Sequence, residues 1–191
     1  MISLLRPAFV CFALLSLLTG LAYPLAVTAL GQALFPDEAA ASLLQRDGRP
    51  VGSALIGQTF TDPKYVWGRP SATAPTPHDG GASGGANQGP LNPALVDAVQ
   101  ARIAALRAAD PGNGAPVPID LVTTSGSGLD PHVSVAAATF QAGRVARARG
   151  LPVSRVQHLI DRHTEGRLLG WLGEPRVNVL QLNLALDAEA S

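Results

Sequence analysis

A short segment in the second half of the chain contains the residue types that hydrolases use. Within eight positions it has two serines, an aspartate and a histidine: Ser125, Ser127, Asp130 and His132. A hydrolase nucleophile needs small residues two positions before and after its serine, so that the chain can turn sharply. Ser127 has Leu129 two positions after it, and the glycines between these residues are typical of a turn. We therefore interpret the segment as a turn, with Asp130-Pro131 starting the next helix.

The sequence gives little support for a metal or phosphate site. His158 and His163 are five residues apart, which places them about 140° apart around a helix, on different faces. The only cysteine, Cys11, lies in an apolar N-terminal segment, so the rest of the chain has no thiol for a metal, a disulfide or a nucleophile. The only lysine, Lys64, is outside any glycine-rich loop, which excludes a Walker A phosphate-binding loop. For these reasons we expect no metal site. We also expect no nucleic acid partner, because the 14 basic and 14 acidic residues balance and leave no excess positive charge.

A glycine-rich loop at residues 80–89 has two interpretations. Its backbone N–H groups are suited to cradling an anion, but no nucleotide fingerprint accompanies it. We favour a contact surface on which small residues lie flat against the backbone of a partner. To this predicted surface we assign the residues Ser83, Gly84, Gly85, Asn87, Asn92, Ser127 and Asp130.

Periodicity predicts a mixed domain that would position these residues. We expect a strand at 52–60, a long loop at 61–93 and a helix at 94–109 capped by Asn92. A strand at 117–124 and a helix at 135–149 follow, the helix being capped by Ser134 and ended by Gly150.

Two further elements complete the predicted domain. Ser154 opens a helix whose Val156, Leu159 and Ile160 point inward. Apolar and polar residues alternate over 176–187, which predicts a strand, although a short helix after a strand is an alternative. The sum is an α+β fold in which one mixed α/β soluble domain, residues 35–191, follows an N-terminal helix.

That N-terminal helix is predicted to cross a membrane. No charged side chain lies between Arg6 and Asp37, and residues 7–34 are mainly apolar. About 20 such residues span a bilayer, whereas the core of a signal peptide has about 7 to 15. We therefore favour a membrane anchor over a signal peptide that is cleaved at the small-x-small site Ala29-Leu30-Gly31. Arg6 before the helix and acidic residues after it favour a cytoplasmic N-terminus at 1–6 and an extracytoplasmic domain.

Small residues mark one face of this helix. Ala13, Ser16 and Gly20 share a face on which another membrane helix could approach closely, although small residues are common in membrane helices generally. Pro24 is expected to kink the outer third, because it removes a backbone donor and clashes with the carbonyl of Gly20.

Several long blocks of unusual composition carry a resemblance to a known family. They are FTDPKYVWGRPSA (60–72), SGGANQGPLNP (83–93), DLVTTSGSGLDPH (120–132), RVARARGL (144–151) and LGEPRVNVLQLNLALD (172–187). In this order they closely resemble the C subunit of the bacterial high-affinity potassium-transporting ATPase, the Kdp complex. The resemblance implies a single-span accessory subunit in the inner membrane. Its implied partners are a potassium-translocating subunit, which handles the potassium ion, and a P-type ATPase subunit.

The chemistry of the chain agrees with an accessory role. The Asp-Lys-Thr-Gly-Thr block that carries the aspartyl phosphate of P-type pumps is missing from the sequence. One helix alone cannot form an ion pathway. We therefore expect hydrolysis and transport to belong to the partners, and the chain not to be an enzyme on its own.

The resemblance also implies a second role, in which this subunit binds nucleotide and raises the ATP affinity of the ATPase subunit as a catalytic chaperone. The implicated glutamine matches Gln141, although Ala142-Gly143 departs from the family pattern. ATP is cytoplasmic, whereas the predicted topology puts Gln141 outside. We expect no tightly bound cofactor, with ATP acting through the complex, and interpret Gln141 as a hydrogen-bonding residue between helices or to a partner. A secreted binding module, released by signal cleavage, is a third and weaker alternative.

The small-residue face leads to a test by substitution. Replacing Gly20 by Leu is expected to weaken attachment to the implied partner subunits without unfolding the soluble domain, because only the proposed helix contact is enlarged. Co-purification in detergent measures this, with circular dichroism to check the fold. Unchanged co-purification would count against the proposed face.

Overall fold

The chain divides into an N-terminal unit and a larger C-terminal unit, with the boundary between Leu43 and Leu44. The structure, a computed structural model, describes residues 2–189. It confirms the predicted α+β class, with one long apolar helix at the N-terminus followed by a domain of helices and short strands.

The N-terminal unit is a nearly continuous helix. Helix α1 (Ile2–Leu17) runs into a π-helical turn (Leu18–Ala22) and then into α2 (Tyr23–Leu34), with a short α3 (Pro36–Ala39) after it. The stretch Leu4–Leu34 is 31 residues long with a mean hydropathy of 2.1, and none of its most apolar window is buried. It is therefore long and apolar enough to cross a bilayer.

The helix is irregular where Pro24 was expected to disturb it. Pro24 has no N–H to donate to the carbonyl of Gly20, and the N–H of Tyr23 bonds to Leu18, five residues back. The disturbance thus takes the form of a π-helical turn directly before the proline.

The C-terminal unit contains two small antiparallel sheets and four helices among the described residues. Strands β1 (Leu43–Arg46) and β2 (Arg49–Ser53) pair at its start. The remaining elements are α4 (Pro93–Ala109), β3 (His132–Ser134), α5 (Val135–Arg149), α6 (Val153–Arg162), β4 (Thr164–Glu165), β5 (Arg176–Asn178) and α7 (Val179–Ala188). In the second sheet β5 lies between β3 and β4, and Val177 pairs with Val133 on one side and with Thr164 on the other.

Two helices form as predicted because their caps are local. The Asn92 side chain accepts the N–H of Ala94 at 3.0 Å at the start of α4. The Ser134 hydroxyl accepts the N–H of Ala137 at 3.0 Å at the start of α5, which ends at Gly150 with φ 67°. Helix α6 buries Val156, Leu159 and Ile160 as expected, but it begins at Val153 rather than Ser154.

Two predicted strands are wrong in whole or in part. The strand predicted at 52–60 is β2, which ends at Ser53, because the following residues bond elsewhere, as Gly57 does to the carbonyl of Leu129 at 2.7 Å. The strand predicted at 117–124 is a 3₁₀ turn, Ile119–Leu121. This turn brings the carboxylate of Asp120 to the backbone N–H of Ser134 at 2.7 Å.

Residues 176–187 follow the alternative prediction of a strand and then a short helix. Only Arg176–Asn178 is strand, and the helix α7 follows it. The Asn178 side chain accepts the N–H of Gln181 at 3.1 Å and so caps the helix, which buries Leu182 and Leu186 one turn apart.

The core of the C-terminal unit lies between α5, α6 and α7. Its fully buried side chains include Val145, Val156, Ile160, Leu182 and Leu186. The inner face of α5 is made mostly of small residues, with Ala137, Ala138, Ala142 and Ala146 all buried, so the backbones of neighbouring helices can approach closely.

The long irregular segment is held against the domain by backbone contacts. The N–H of Gly84 donates to the carbonyl of Ser127 at 2.9 Å, and the Ser83 hydroxyl donates to the same carbonyl at 3.2 Å. A Cβ at Gly128, where φ is 70°, would lie 2.6 Å from the carbonyl oxygen of Gly84. The close approach that these small residues permit here is therefore between two segments of this chain, and the predicted contact with a partner stays a prediction.

This contact predicts an unequal response to alanine at two glycines. Gly128→Ala is expected to lower the free energy of unfolding by about 2 kcal/mol or more, because it adds a left-handed backbone penalty to a backbone clash. Gly114→Ala is the matched control, since a Cβ there meets no atom within 4 Å. Thermal or denaturant unfolding of the two variants measures the difference, and equal stabilities would contradict the proposed packing.

Candidate functional site

Two buried amide side chains hold an aromatic segment, residues 65–67, in place. Asn183, on α7, accepts the N–H of Val66 at 2.8 Å and donates to its carbonyl at 2.9 Å. Gln141, on α5, does the same for Trp67, at 2.9 Å and 3.0 Å. Two successive residues outside any strand thus have their backbone groups satisfied by side chains, which is how a segment without a ladder can be buried. We call this arrangement the amide clamp.

The clamp uses the whole hydrogen-bonding capacity of Gln141. Its side chain is 1% exposed. Besides its two bonds to Trp67, the amide donates to the carbonyl of Ala137 at 3.2 Å and accepts from Arg144 at 2.6 Å. An amide offers two N–H donors and an oxygen with two lone pairs, so all four positions are occupied within the chain.

Two arginines of α5 cover the clamped segment. Arg144 lies over the Trp67 ring, 4.2 Å from its centre, and donates to the carbonyl of Pro63 at 2.6 Å. Burial lowers the pKa of Arg144 to about 10, against an opposing effect of nearby Asp110, so it stays protonated at neutral pH. Arg149 lies over the Tyr65 ring at 5.1 Å. These cation–π contacts fix the aromatic rings against the helix.

Asp187 joins this region to the beginning of the domain. Its carboxylate accepts hydrogen bonds from Arg46 at 2.8 Å, from Tyr65 at 3.2 Å and from Arg149 at 2.8 Å. Burial opposes the ionisation of this carboxyl, but the hydrogen bonds outweigh it and hold its pKa below the usual value. Asp187 therefore links β1, the aromatic segment and α5 at the end of α7.

Two of the predicted turn residues, Asp130 and His132, line a charged cleft of about 530 Å³. Asp130 pairs with Arg69 at 3.2 Å and with Nδ1 of His132 at 3.3 Å. On the other side of His132, Glu165 lies 3.8 Å from Nε2. Burial opposes ionisation of Asp130, but its hydrogen bonds with His132 and the charge of Arg69 hold its pKa below the usual value.

The serines of that segment do not reach the histidine. The Ser127 hydroxyl accepts the N–H of Leu129 at 3.1 Å, which is a turn interaction, and the side chain of Asp130 accepts the N–H of His132 at 3.0 Å. Within residues 2–189 no hydrogen bond joins Ser125 or Ser127 to His132. The arrangement stabilises a turn and lacks the serine–histidine contact that nucleophilic catalysis requires.

The other candidate residues are not members of the clamp. His158 is exposed on α6, and His163 follows the end of that helix. Asn87 is exposed, while the side chain of Asn92 is used as a cap. Ala13 and Ser16 lie on α1 and Gly20 lies in the π-helical turn. Among the described residues no cluster of three His, Cys, Asp or Glu side chains is placed to hold a metal.

Sequence reasoning missed Asn183, Arg144 and Arg149. Asn183 carries a recognisable signal, because it is a single amide within the apolar run Leu180-Gln-Leu-Asn-Leu-Ala-Leu, where burial requires a hydrogen-bonding partner.

Comparison with known proteins agrees along nearly the whole chain. A sequence model of the family described as K+-transporting ATPase, c chain, matches residues 5–188. A relative from Variovorax paradoxus is 67% identical over 189 residues, covering 99% of this chain and 98% of its own length. A relative from Polaromonas naphthalenivorans is 67% identical over 186 residues, covering 97% of this chain and 95% of its own length. A relative from Sorangium cellulosum is 64% identical over 187 residues, covering 98% of this chain and 98% of its own length. All three relatives are named potassium-transporting ATPase KdpC subunit. The chain therefore belongs to the KdpC family, the c chains of potassium-transporting ATPases.

Proposed function

We propose that this chain is an accessory, non-catalytic subunit of an ATP-driven potassium uptake complex. It stabilises the assembly of the potassium-translocating subunit with the P-type ATPase subunit, which carry out transport and hydrolysis. Membership of the KdpC family supports the potassium-transporting complex. One long, apolar and unburied helix supports a single-pass attachment to the membrane.

The observation that carries the non-catalytic role is the saturated amide of Gln141. Each of its four hydrogen-bonding positions is occupied by the chain itself. Binding a nucleotide through this residue would release the backbone of Trp67, or the guanidinium of Arg144, in a buried site. Leaving such groups unsatisfied costs about 1 to 3 kcal/mol each, which disfavours direct nucleotide binding. Gln141 in this proposal is a structural residue.

The proposed topology places the N-terminus in the cytoplasm and the C-terminal domain outside the inner membrane. Arg6 lies in the second turn of α1, before the uncharged stretch, and Asp37 and Glu38 follow that stretch. The domain then works on the side from which potassium is taken up, while ATP is on the other side.

Protease access tests this topology. Protease added to sealed, right-side-out cells is expected to digest the C-terminal domain, while a cytoplasmic marker protein stays intact. If the domain is protected from the protease until the membrane is opened, the extracytoplasmic location is wrong and the nucleotide-binding role gains support.

A pair of matched substitutions separates the structural role of Gln141 from a nucleotide-binding role. Gln141→Ala and Asn183→Ala each remove one half of the amide clamp, so each is expected to lower the free energy of unfolding by about 2 to 3 kcal/mol. Unfolding of the purified full chain in detergent measures this loss. Calorimetric titration with ATP is expected to show no difference between the two variants. ATP binding that is retained in Asn183→Ala but lost in Gln141→Ala would overturn the structural role.

A further inference from the structure

One histidine of the long irregular segment packs against the chain with no partner for one of its ring nitrogens. The Nδ1 atom of His78 is buried and has no hydrogen-bond partner among the described residues 2–189. A Cβ added at Gly57 would lie 2.6 Å from this nitrogen, so the imidazole ring packs directly against the Gly57 backbone. A proton on Nδ1 would therefore be enclosed in a site where it donates to no acceptor, which is energetically unfavourable.

His78 lies in a loop, residues 71–87, that is fastened to the turn at residues 126–128. We call this loop the pinned loop. The Ser71 hydroxyl accepts the N–H of His78 at 2.9 Å and donates to the carbonyl of Gly128 at 2.7 Å. Farther along the loop, the N–H of Gly84 donates to the carbonyl of Ser127 at 2.9 Å. Because His78 shares the Ser71 hydroxyl with Gly128, moving its ring out of its site disturbs the attachment of the loop.

The backbone of the pinned loop is strained at the same residue. His78 has φ 58°, in the left-handed region. Residues other than glycine adopt this conformation uncommonly, and they keep it only where the surrounding contacts enforce it. A contact that is lost at His78 therefore also removes a restraint that holds the strained backbone in place.

The charged groups around the ring do not compensate a proton on Nδ1. Arg69 and Arg102, on α4, line the same cavity of about 250 Å³ as His78, and both side chains are cationic. Asp130 pairs with Arg69 at 3.2 Å, and the carboxylate of Asp79 accepts a backbone N–H of its own turn at 2.9 Å. The segment around Gly57, residues 54–60, contains no charged residue.

His132 provides a contrast within the same domain. It has the carboxylates of Asp130 and Glu165 beside its two ring nitrogens, at 3.3 Å and 3.8 Å. At His78, burial lowers the pKa below its ordinary value of 6.5, although the carbonyl of Gly128 acts in the opposite direction.

The direction of this pKa shift determines how acid acts on the pinned loop. A ring that has a lower pKa in the packed loop than in the released loop binds a proton more readily after release. The packed state therefore has its full stability above about pH 6.5, and it loses stability as the pH falls from that value through the lower pKa of the packed ring.

We propose that His78 is an acid-sensitive switch, in which protonation of Nδ1 releases the pinned loop from the turn at residues 126–128 while the core between α5, α6 and α7 stays folded. The switch is a property of the domain itself and so goes beyond the proposed function. In the proposed topology the pH that acts on it is that of the medium outside the membrane.

A spin label on the pinned loop tests the proposal in the purified full chain in detergent. Cys11→Ser removes the only cysteine, and Ala86→Cys, at an exposed position of the loop, carries a nitroxide. The rotational correlation time of the label is expected to fall about threefold between about pH 7.5 and about pH 5, because a released loop moves freely on the nanosecond timescale. Circular dichroism is expected to show unchanged helix content.

Two substitutions in the labelled chain separate His78 from general effects of acid. His78→Asn removes the titratable ring and keeps a residue type that tolerates a left-handed backbone, so the label is expected not to respond to acid. His158→Asn is the matched control, because it removes an exposed imidazole on α6. In this control the label is expected to respond as in the labelled parent chain.

Each other result overturns the switch. A label that does not respond to acid in the parent chain, or that responds equally in His78→Asn, shows that His78 does not control the loop. Loss of the response in His158→Asn assigns it to overall charge. Loss of the helical circular dichroism signal together with the label response shows unfolding of the whole domain.

Discussion

The structure of the domain depends on the amide clamp between Gln141, Asn183 and the backbone of Val66 and Trp67. Val66 and Trp67 have no strand beside them, yet Val66 is fully buried. Without side-chain partners their N–H and C=O groups would be unsatisfied in an apolar environment. The clamp allows a loop to enter the core, and the arginines of α5 then lie over its aromatic rings. One side of the domain is therefore built from a loop bound by two helices.

The parts of the fold that were predictable are those determined by neighbouring residues. Helices α4 and α5 start where a side chain accepts an N–H within three positions, and such caps can be recognised in sequence. Residues 176–187 could not be assigned in the same way. Their alternation of leucine with other residues suits a strand, but the cap at Asn178 and the buried pair Leu182 and Leu186 make most of the segment a helix. Tertiary packing decides between the two.

The candidate site was predictable only in part, for a related reason. Gln141 was found through a family resemblance, but its partner Trp67 is 74 positions away, and no local pattern connects them. The glycine-rich loop was predicted to lie against the backbone of a partner, and the sequence could not show that it also lies against residues of the same chain, such as Ser127. Contacts between distant segments need the fold before they can be named.

The link between Arg46 and Asp187 bears on how the domain is made. The two residues are separated by 141 positions, one at the start of the domain and one near its end. During synthesis the first strand must wait for nearly the whole domain to emerge before this ion pair can form. Contacts of such high sequence separation slow folding, and the newly made domain stays incomplete in the meantime. The ion pair can form only after Asp187 has been synthesised, so nascent chains that stop before Asp187 lack the contact that joins the two ends of the domain.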